Sequence, residues 1–380
     1  MSDQFTEVTK TGYGSRIVGS FKGIVIGIIL FCTSFVVLYW NEGRVDLSTI
    51  AKTAVHIDAQ MQADASQNGM LVSATGMVRS DEQIGDGLFL NPGPYMALDR
   101  RVEMFAWVEE QKSQSKTNLG GSETTETTYT YTKEWAGSPR SSADFKYPQG
   151  HENPQKTLED KTVTAADAAI GVYQFDPASI QLPAFARISL SEQNISLKQG
   201  ALLANDAYLF IRNSASGTFA NPHIGDVRVS YHALRPGFDG TIFGKLNGQK
   251  IEPYVDEDNN RLYRVFDGTR EEGIAAYHSE YKMMLWIFRA VGFLMMWVGL
   301  AAIFGPISVL LDVLPLLGSV SRSVVGLVTF FVSLVLTAVT VLVSIIAHTP
   351  VALAIAVAAT SIAIILFFVF WKKKKQAARA

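Results

Sequence analysis

Cysteine is almost absent from this chain of 380 residues: there is one, Cys32. No disulfide can form within the chain, so each folded part relies on its own apolar core. Charge is missing from three long runs, 23–39, 324–347 and 351–371, and a fourth, 283–304, contains Arg289 alone. A bilayer core about 30 Å thick needs about 20 apolar residues at a rise of about 1.5 Å each, so all four segments are long enough to span it. A soluble core helix could match one of them, but not the two near-adjacent, charge-free runs at the C-terminal end. The composition is that of an integral membrane protein.

A cleavage signal is also lacking. The first apolar run leads into Tyr39, Trp40, Asn41 and Glu42 rather than an A-x-A-like site, and rings half apolar and half wet suit a membrane boundary. The segment reads as an uncleaved anchor. Lys and Arg are missing from His348-Thr349-Pro350, while Lys10, Arg16 and Lys22 precede the first run, Arg322 lies before the third, and Lys372 to Lys375 with Arg379 follow the last. The positive-inside bias then predicts both ends in the cytoplasm. The expected layout is a cytoplasmic N-terminus over 1–22, transmembrane helices over 23–40, 283–304, 324–347 and 351–371, and a basic cytoplasmic tail over 372–380. Residues 41–282 form a lumenal or periplasmic domain, and 305–323 an interfacial or re-entrant elbow on the cytoplasmic side.

The exported segment 41–282 holds 32 Asp and Glu against 23 Lys and Arg, an acidic balance that disfavours nucleic acid as a partner. Its patterns are mainly those of strands. Val227 to Leu234 alternates, Arg101 to Glu110 puts Val102, Met104 and Ala106 on one face, and Thr127 to Trp135 is rich in Thr and aromatics. The polar run between the last two, Lys112 to Thr125 with paired glycines, predicts a long hairpin with a mobile, dispensable tip. Asp256 to Asn260 supplies turn residues for a second hairpin. Helical signals are fewer: Glu271 to Ala290 can run as one helix into the second span, and Asp176-Pro177-Ala178 fits a helix start. No internal repeat is found. The expected fold is an α+β integral membrane protein, four transmembrane helices with a large β-rich exported domain inserted between the first two.

Catalytic and metal-binding motifs are missing as well. There is no H-E-x-x-H, G-x-S-x-G, phosphate loop or dinucleotide fingerprint. Asp256, Asp258, Asn260 and Asp267 imitate a calcium loop, but Arg261 stands where glycine makes the sharp turn, so a solvated acidic turn is expected. No catalytic, cofactor-binding or metal-ligating residue is assigned, and no cofactor. Two charges remain as candidate intramembrane functional residues. Arg289, near the outer end of the second span, either snorkels or pairs within the bundle, or contacts an ion, substrate or lipid headgroup. Asp312, in the elbow, either faces headgroups or Arg322 at hydrated depth, where Asp312→Asn would be tolerated, or is a proton-sensing carboxylate. Lying at opposite leaflets, the two are not expected to pair.

Six blocks carry a resemblance. They are "NEGR" (Asn41 to Arg44), "DRRVEMFAWVEE" (Asp99 to Glu110), "YTYTKEW" (Tyr129 to Trp135), "GHENP" (Gly150 to Pro154), "GDVRVSY" (Gly225 to Tyr231) and "RAVGFLMMWVG" (Arg289 to Gly299). In this order they resemble the transmembrane protein 43 (LUMA) family. The resemblance implies four spans, a large lumenal or periplasmic domain and self-association. Animal members sit in the endoplasmic reticulum and inner nuclear membrane, associate with lamins and emerin, and are described as organising membrane protein complexes. Bacterial relatives have no lamina, and their counterpart location is the cytoplasmic membrane. The expected function is therefore that of a scaffold for membrane protein complexes, a non-enzyme whose partners are lipids, other membrane proteins and further copies of itself. A channel or transport component using Arg289 and Asp312 is the alternative. An exported-side enzyme or lipid-binding domain comes third.

Overall fold

A computed structural model describes residues 3–349 apart from 63, 199, 214–216 and 314. The fourth apolar run, 351–371, and the basic tail, 372–380, lie outside the described residues. The chain divides into two units. The first holds Met1–Glu7, Asp46–Ser113 and Glu126–Ser279, the second Val8–Val45, Gln114–Thr125 and Glu280–Ala380.

Among the described residues, two large sheets and a two-stranded ribbon, Tyr254–Val255 with Arg261–Leu262, build the first unit. In the eight-stranded one, neighbours run Asp3–Thr11, Glu123–Ala136, Ala97–Thr117, Val227–Leu234, Leu209–Ile211 and Ala201–Leu203. Lys161–Thr164 and Ala186–Arg187 add to Ala97–Thr117 and Val227–Leu234 respectively. The alternation read from sequence sets the register: Val229 faces Val102 and Val227 faces Met104 across antiparallel strands, and all four are buried in one core with Tyr231 and Leu98. The seven-stranded sheet centres on Leu71–Arg79 paired with Phe238–Asn247. Its core gathers Val72, Ala74, Ile242, Leu246 and Tyr173. Helix α2 (Leu47–Lys52) and the first turns of α3 (Arg270–Leu311) close a third cluster, where Tyr277 meets Phe266 and Phe243 edge-on. A capping box starts α3: Glu272 accepts from the Thr269 amide at 2.8 Å, and Thr269 Oγ1 accepts from the Glu272 amide at 3.3 Å.

Several family-like blocks turn out to be anchors of this core. Asp86 is buried; its Oδ1 accepts from the amides of Leu88, Phe89 and Leu90, and its Oδ2 from Arg100 at 2.9 Å and the Tyr231 hydroxyl at 2.7 Å. In "GHENP", His151 stacks on Tyr131 at 3.9 Å, while Asn153 exchanges two hydrogen bonds with the Trp107 backbone. The turn at Asp256 forms as expected, its carboxylate taken up by Asp258 and Asn260.

The second unit is helical. The chain is a membrane protein of mixed helix and strand content, and among the described residues three helices are long and apolar enough to cross a bilayer: Tyr13–Lys52, Arg270–Leu311 and Val320–His348. Helix α1 (Tyr13–Glu42) lies antiparallel to α3, their backbones touching at two glycines. A Cβ on Gly27 would stand 2.7 Å from the Gly299 carbonyl, and one on Gly299 2.8 Å from the Phe31 amide. Small residues admit such an approach between apolar helices. Helix α4 (Pro315–His348) packs through Phe330, edge-on to Phe293 and Trp297, and through Trp297 Nε1 donating to the Gly326 carbonyl at 3.0 Å.

Four expectations need correction. The elbow expected over 305–323 shrinks to a turn after Leu311: α3 continues through Pro306 to Leu311, and α4 begins at Pro315. In apolar surroundings a break exposes several backbone groups, whereas a proline inside the helix forfeits one hydrogen bond. The N-terminal segment, expected as a cytoplasmic tail, supplies strand Asp3–Thr11 to the eight-stranded sheet. The hairpin does not dissolve into a mobile tip, since its strands extend to Thr117 and resume at Glu123. Asp176 caps a turn by accepting from the Ala178 amide, but no helix follows, the chain turning instead toward buried Ile180.

Asp86 makes the first unit sensitive to acid. Burial pushes its carboxyl up, but the Tyr231 hydroxyl, the Leu88 amide, Arg100 and the Leu90 amide outweigh burial and hold it below the ordinary aspartate value. A depressed carboxyl contributes stability that is present above the unfolded value, about 3.9, and is lost as pH falls through the folded value. Asp86→Asn leaves Arg100 buried and unpaired and is expected to cost about 3–5 kcal/mol at pH 7. Thermal unfolding of the two proteins in detergent should show this gap near neutrality and its shrinkage below the ordinary aspartate value. An equal gap at both would refute the assignment.

Candidate functional site

Both charges singled out from sequence lie in the helical unit, Arg289 midway along α3 at the start of its apolar run and Asp312 just past its last residue, and both are ion-paired. The pairs are not with each other. Near the start of its apolar run, Arg289 makes a two-pronged contact with Glu42, Nε to Oε1 and Nη2 to Oε2, each at 2.8 Å. The Glu42 side chain is 3 % exposed, and the arginine also lies over the Trp286 ring at 4.9 Å. The "NEGR" block assembles this end residue by residue. Asn41 donates to the Leu285 carbonyl at 3.0 Å, Glu42 takes Arg289, and Gly43 leaves room for the His348 ring, which a Cβ would meet at 2.5 Å. Arg44 lies over the rings of Trp40 and Phe288.

At the other end Asp312 is fully buried, at the turn leaving α3. Its Oδ2 accepts from Arg16 at 2.5 Å and from Arg322 at 2.8 Å, while Oδ1 is buried without a hydrogen-bond partner. Arg16, whose side chain is 6 % exposed, also donates to the Gly121 carbonyl at 2.5 Å and approaches Glu123 at 3.2 Å. The hairpin tip is thus part of the cluster. Its Gly120 amide donates to the Val313 carbonyl at 3.2 Å, and Thr117 Oγ1 accepts from Arg322 at 3.1 Å. Gly120 and Gly121 have φ of 80° and 79°, the left-handed backbone that glycine adopts without strain. Gly121 packs against the Tyr13 ring, and Tyr13 donates to the Leu310 carbonyl at 3.1 Å.

Chemically, each end pairs its carboxylates with guanidinium groups, Glu42 with Arg289, and Asp312 and Glu123 with Arg16 and Arg322, while Arg44 adds a further positive charge over the Trp40 and Phe288 rings. Among the described residues no group of three or more His, Cys, Asp or Glu is placed to hold a metal ion. Sequence reasoning found Arg289, Asp312 and the Arg322 partner. It missed Glu42, Arg16 and Glu123, because it took the first as a span boundary, the second as a free topogenic charge and the third as part of a solvated tip. Two signals pointed to them: a carboxylate at the end of one apolar helix can match an arginine in the next, and paired glycines at a tip permit close approach. The expected opposite-side placement of residues 1–22 and the hairpin tip does not fit these contacts. Arg16 is tied to Asp312 and Glu123.

The family profile described as "Transmembrane protein 43" matches residues 104–350. That span includes Glu123, Arg289, Asp312 and Arg322 but neither Arg16 nor Glu42. Among curated proteins, Transmembrane protein 43 of Mus musculus is 26 % identical over 317 residues, covering 78 % of this chain and 76 % of its own. The protein of the same name from Homo sapiens is 26 % identical over 314 residues, covering 77 % and 76 %. The Transmembrane protein 43 homolog of Drosophila melanogaster is 26 % identical over 292 residues, covering 72 % and 74 %. No solved structure matches.

Removing the Asp312 charge leaves buried Arg16 with Glu123 alone and Arg322 without its carboxylate. Asp312→Asn is therefore expected to destabilise the bundle by about 3–5 kcal/mol, read as a drop in thermal unfolding temperature in detergent; an unchanged temperature would return Asp312 to a hydrated, tolerant position. The contacts lead to an expectation for sidedness. With Cys32→Ser, thiols placed singly at Thr11 and at Asn118 should react with an impermeant maleimide from the same face of sealed vesicles. Labelling from opposite faces would show that the hairpin tip and the start of α1 do not meet in the membrane.

Proposed function

The chain belongs to the transmembrane protein 43 family, and from that premise we propose that it organises membrane protein complexes rather than conducting a solute. One observation supports this reading above the others: the two candidate charges, Arg289 in α3 and Asp312 just past its end, are matched inside the bundle, Arg289 by Glu42 and Asp312 by Arg16 and Arg322. A hydrated path lined by charge needs groups that face water or a passing ion, whereas these face each other. Outward, α1 and α4 present apolar side chains such as Ile26, Ile29, Val36, Leu327, Val335 and Leu342. Such surfaces suit lipid tails and other membrane helices. The proposed partners are lipids, other membrane proteins and further copies of the chain, and the reading includes no chemical step. The proposed setting is the endoplasmic reticulum and inner nuclear membrane in a eukaryote, with lamins and emerin as partners in an animal, and the cytoplasmic membrane in a bacterium.

The test uses the full chain twice. Reconstituted in phosphatidylcholine vesicles, it should give no ion flux above empty vesicles. Cross-linked in its native membrane and isolated in mild detergent, it should bring down a reproducible set of membrane proteins. Flux through the wild-type protein that is altered by Arg289→Lys would overturn the proposal in favour of a channel.

A further inference from the structure

The outer face of the eight-stranded sheet carries a cleft that plays no part in the bundle-end clusters. Side chains alternate along a strand, so the residues between the buried Val102, Val229 and Tyr231 point the other way. Register then sets Ser230 opposite Arg101, and His232 opposite both Asp99 and Arg187. Together with Tyr208 these residues line a cavity of about 530 Å³, within the range of small-ligand sites.

Its charges are unevenly matched. Glu103 is held by Arg228 at 2.6 and 3.0 Å, Asp160 accepts from the Val102 amide at 2.8 Å, and Asp99 accepts from the Thr162 hydroxyl at 2.7 Å. Among the cations, Arg100 is occupied by Asp86, and Lys161 donates to the Asp86 carbonyl at 3.1 Å. Arg101 and Arg187 have no ion-pair partner among the described residues; the Arg187 guanidinium lies over the Tyr208 ring at 4.5 Å. Beside them, His232 keeps its Nδ1 buried without a hydrogen-bond partner. Burial lowers the affinity of this imidazole for a proton, and the nearby charges of Arg101 and Arg187 lower it further. Two guanidinium groups and a neutral ring therefore share one wall, while Glu103 is paired with Arg228 and Asp160 and Asp99 accept hydrogen bonds from the Val102 amide and the Thr162 hydroxyl.

We propose that this cleft is a binding site for a phosphate-class oxyanion, held by Arg101 and Arg187 with His232 between them. Each guanidinium presents a planar fork of donors, and two forks from different strands can serve more oxygens than one carboxylate offers. An anion between them would also relieve the repulsion of two like charges on one face. The phosphate can come from a soluble metabolite or from a lipid headgroup.

Binding to the purified full chain is measured with two probes. Glycerol 3-phosphate is titrated by calorimetry against the detergent-solubilised protein, and phosphatidylcholine nanodiscs with and without phosphatidic acid are compared by affinity for an added soluble competitor, inorganic phosphate. Arg101→Gln with Arg187→Gln should weaken phosphate binding by roughly tenfold or more, since a charge-assisted hydrogen bond carries that much. Arg235→Gln, an exposed arginine outside the cleft, controls for net charge and should leave binding unchanged. Loss of glycerol 3-phosphate binding in the double variant alone supports a soluble ligand. Loss of phosphate competition only where phosphatidic acid is present supports a headgroup. No binding of either probe, or an equal effect of Arg235→Gln, overturns the site.

Discussion

A single carboxylate, Asp312, fastens the start of α1 and the hairpin tip, both far away in sequence, to the neighbouring ends of α3 and α4. It is buried at the end of α3, takes Arg16 from the start of α1 and Arg322 from α4, and draws in the hairpin tip through Glu123 and Gly121. A buried charge is tolerable only when it is paired and hydrogen-bonded. The cost of burying Asp312 therefore demands that its partners be present together. What such a cluster provides is register: α1, α3, α4 and the tip must meet at one place or the charges are left unmatched.

The other end of the bundle obeys the same constraint with fewer parts. Glu42 and Arg289 form one two-pronged pair, and between the two ends Gly27 and Gly299 let α1 and α3 approach to backbone contact. Apolar packing against lipid-like surroundings gives little preference for one rotation of a helix over another. Polar anchors at both ends, with a small-residue contact in the middle, remove that freedom. Most of the apolar surface then remains directed outward, and the proposal of an organising role rests on this.

The β-rich unit meets a different demand, stability with no disulfide. Its answer is buried polar anchoring at loop bases. Asp86 satisfies three successive amides and ties them to Arg100 and Tyr231, so a loop is fixed to two central strands by one side chain. His151 and Asn153 fix the stretch after the long hairpin in a similar manner, through Tyr131 and Trp107. The same alternation that buries Val102 and Tyr231 leaves Arg101 and His232 on the opposite face, which is why one strand pair can serve the core and the oxyanion cleft at once.

Local pattern made much of this legible. Apolar runs marked α1, α3 and α4 because apolar length is a property of consecutive residues, and period-two alternation marked Val227 to Leu234 and the long hairpin for the same reason. Arg289 and Asp312 stood out as charges among apolar neighbours. Their partners did not: Arg16 and Asp312 are separated by 296 positions, Glu42 and Arg289 by 247, and a charge read in one dimension looks the same whether it faces water or a buried carboxylate. The continuation of α3 through Pro306, the pairing of Asp3–Thr11 with the sheet and the docking of the hairpin tip were likewise settled only by the tertiary structure. Each depends on what packs against the segment, since the energy of a buried ion pair or an added strand resides in the partner and not in the residue that is read.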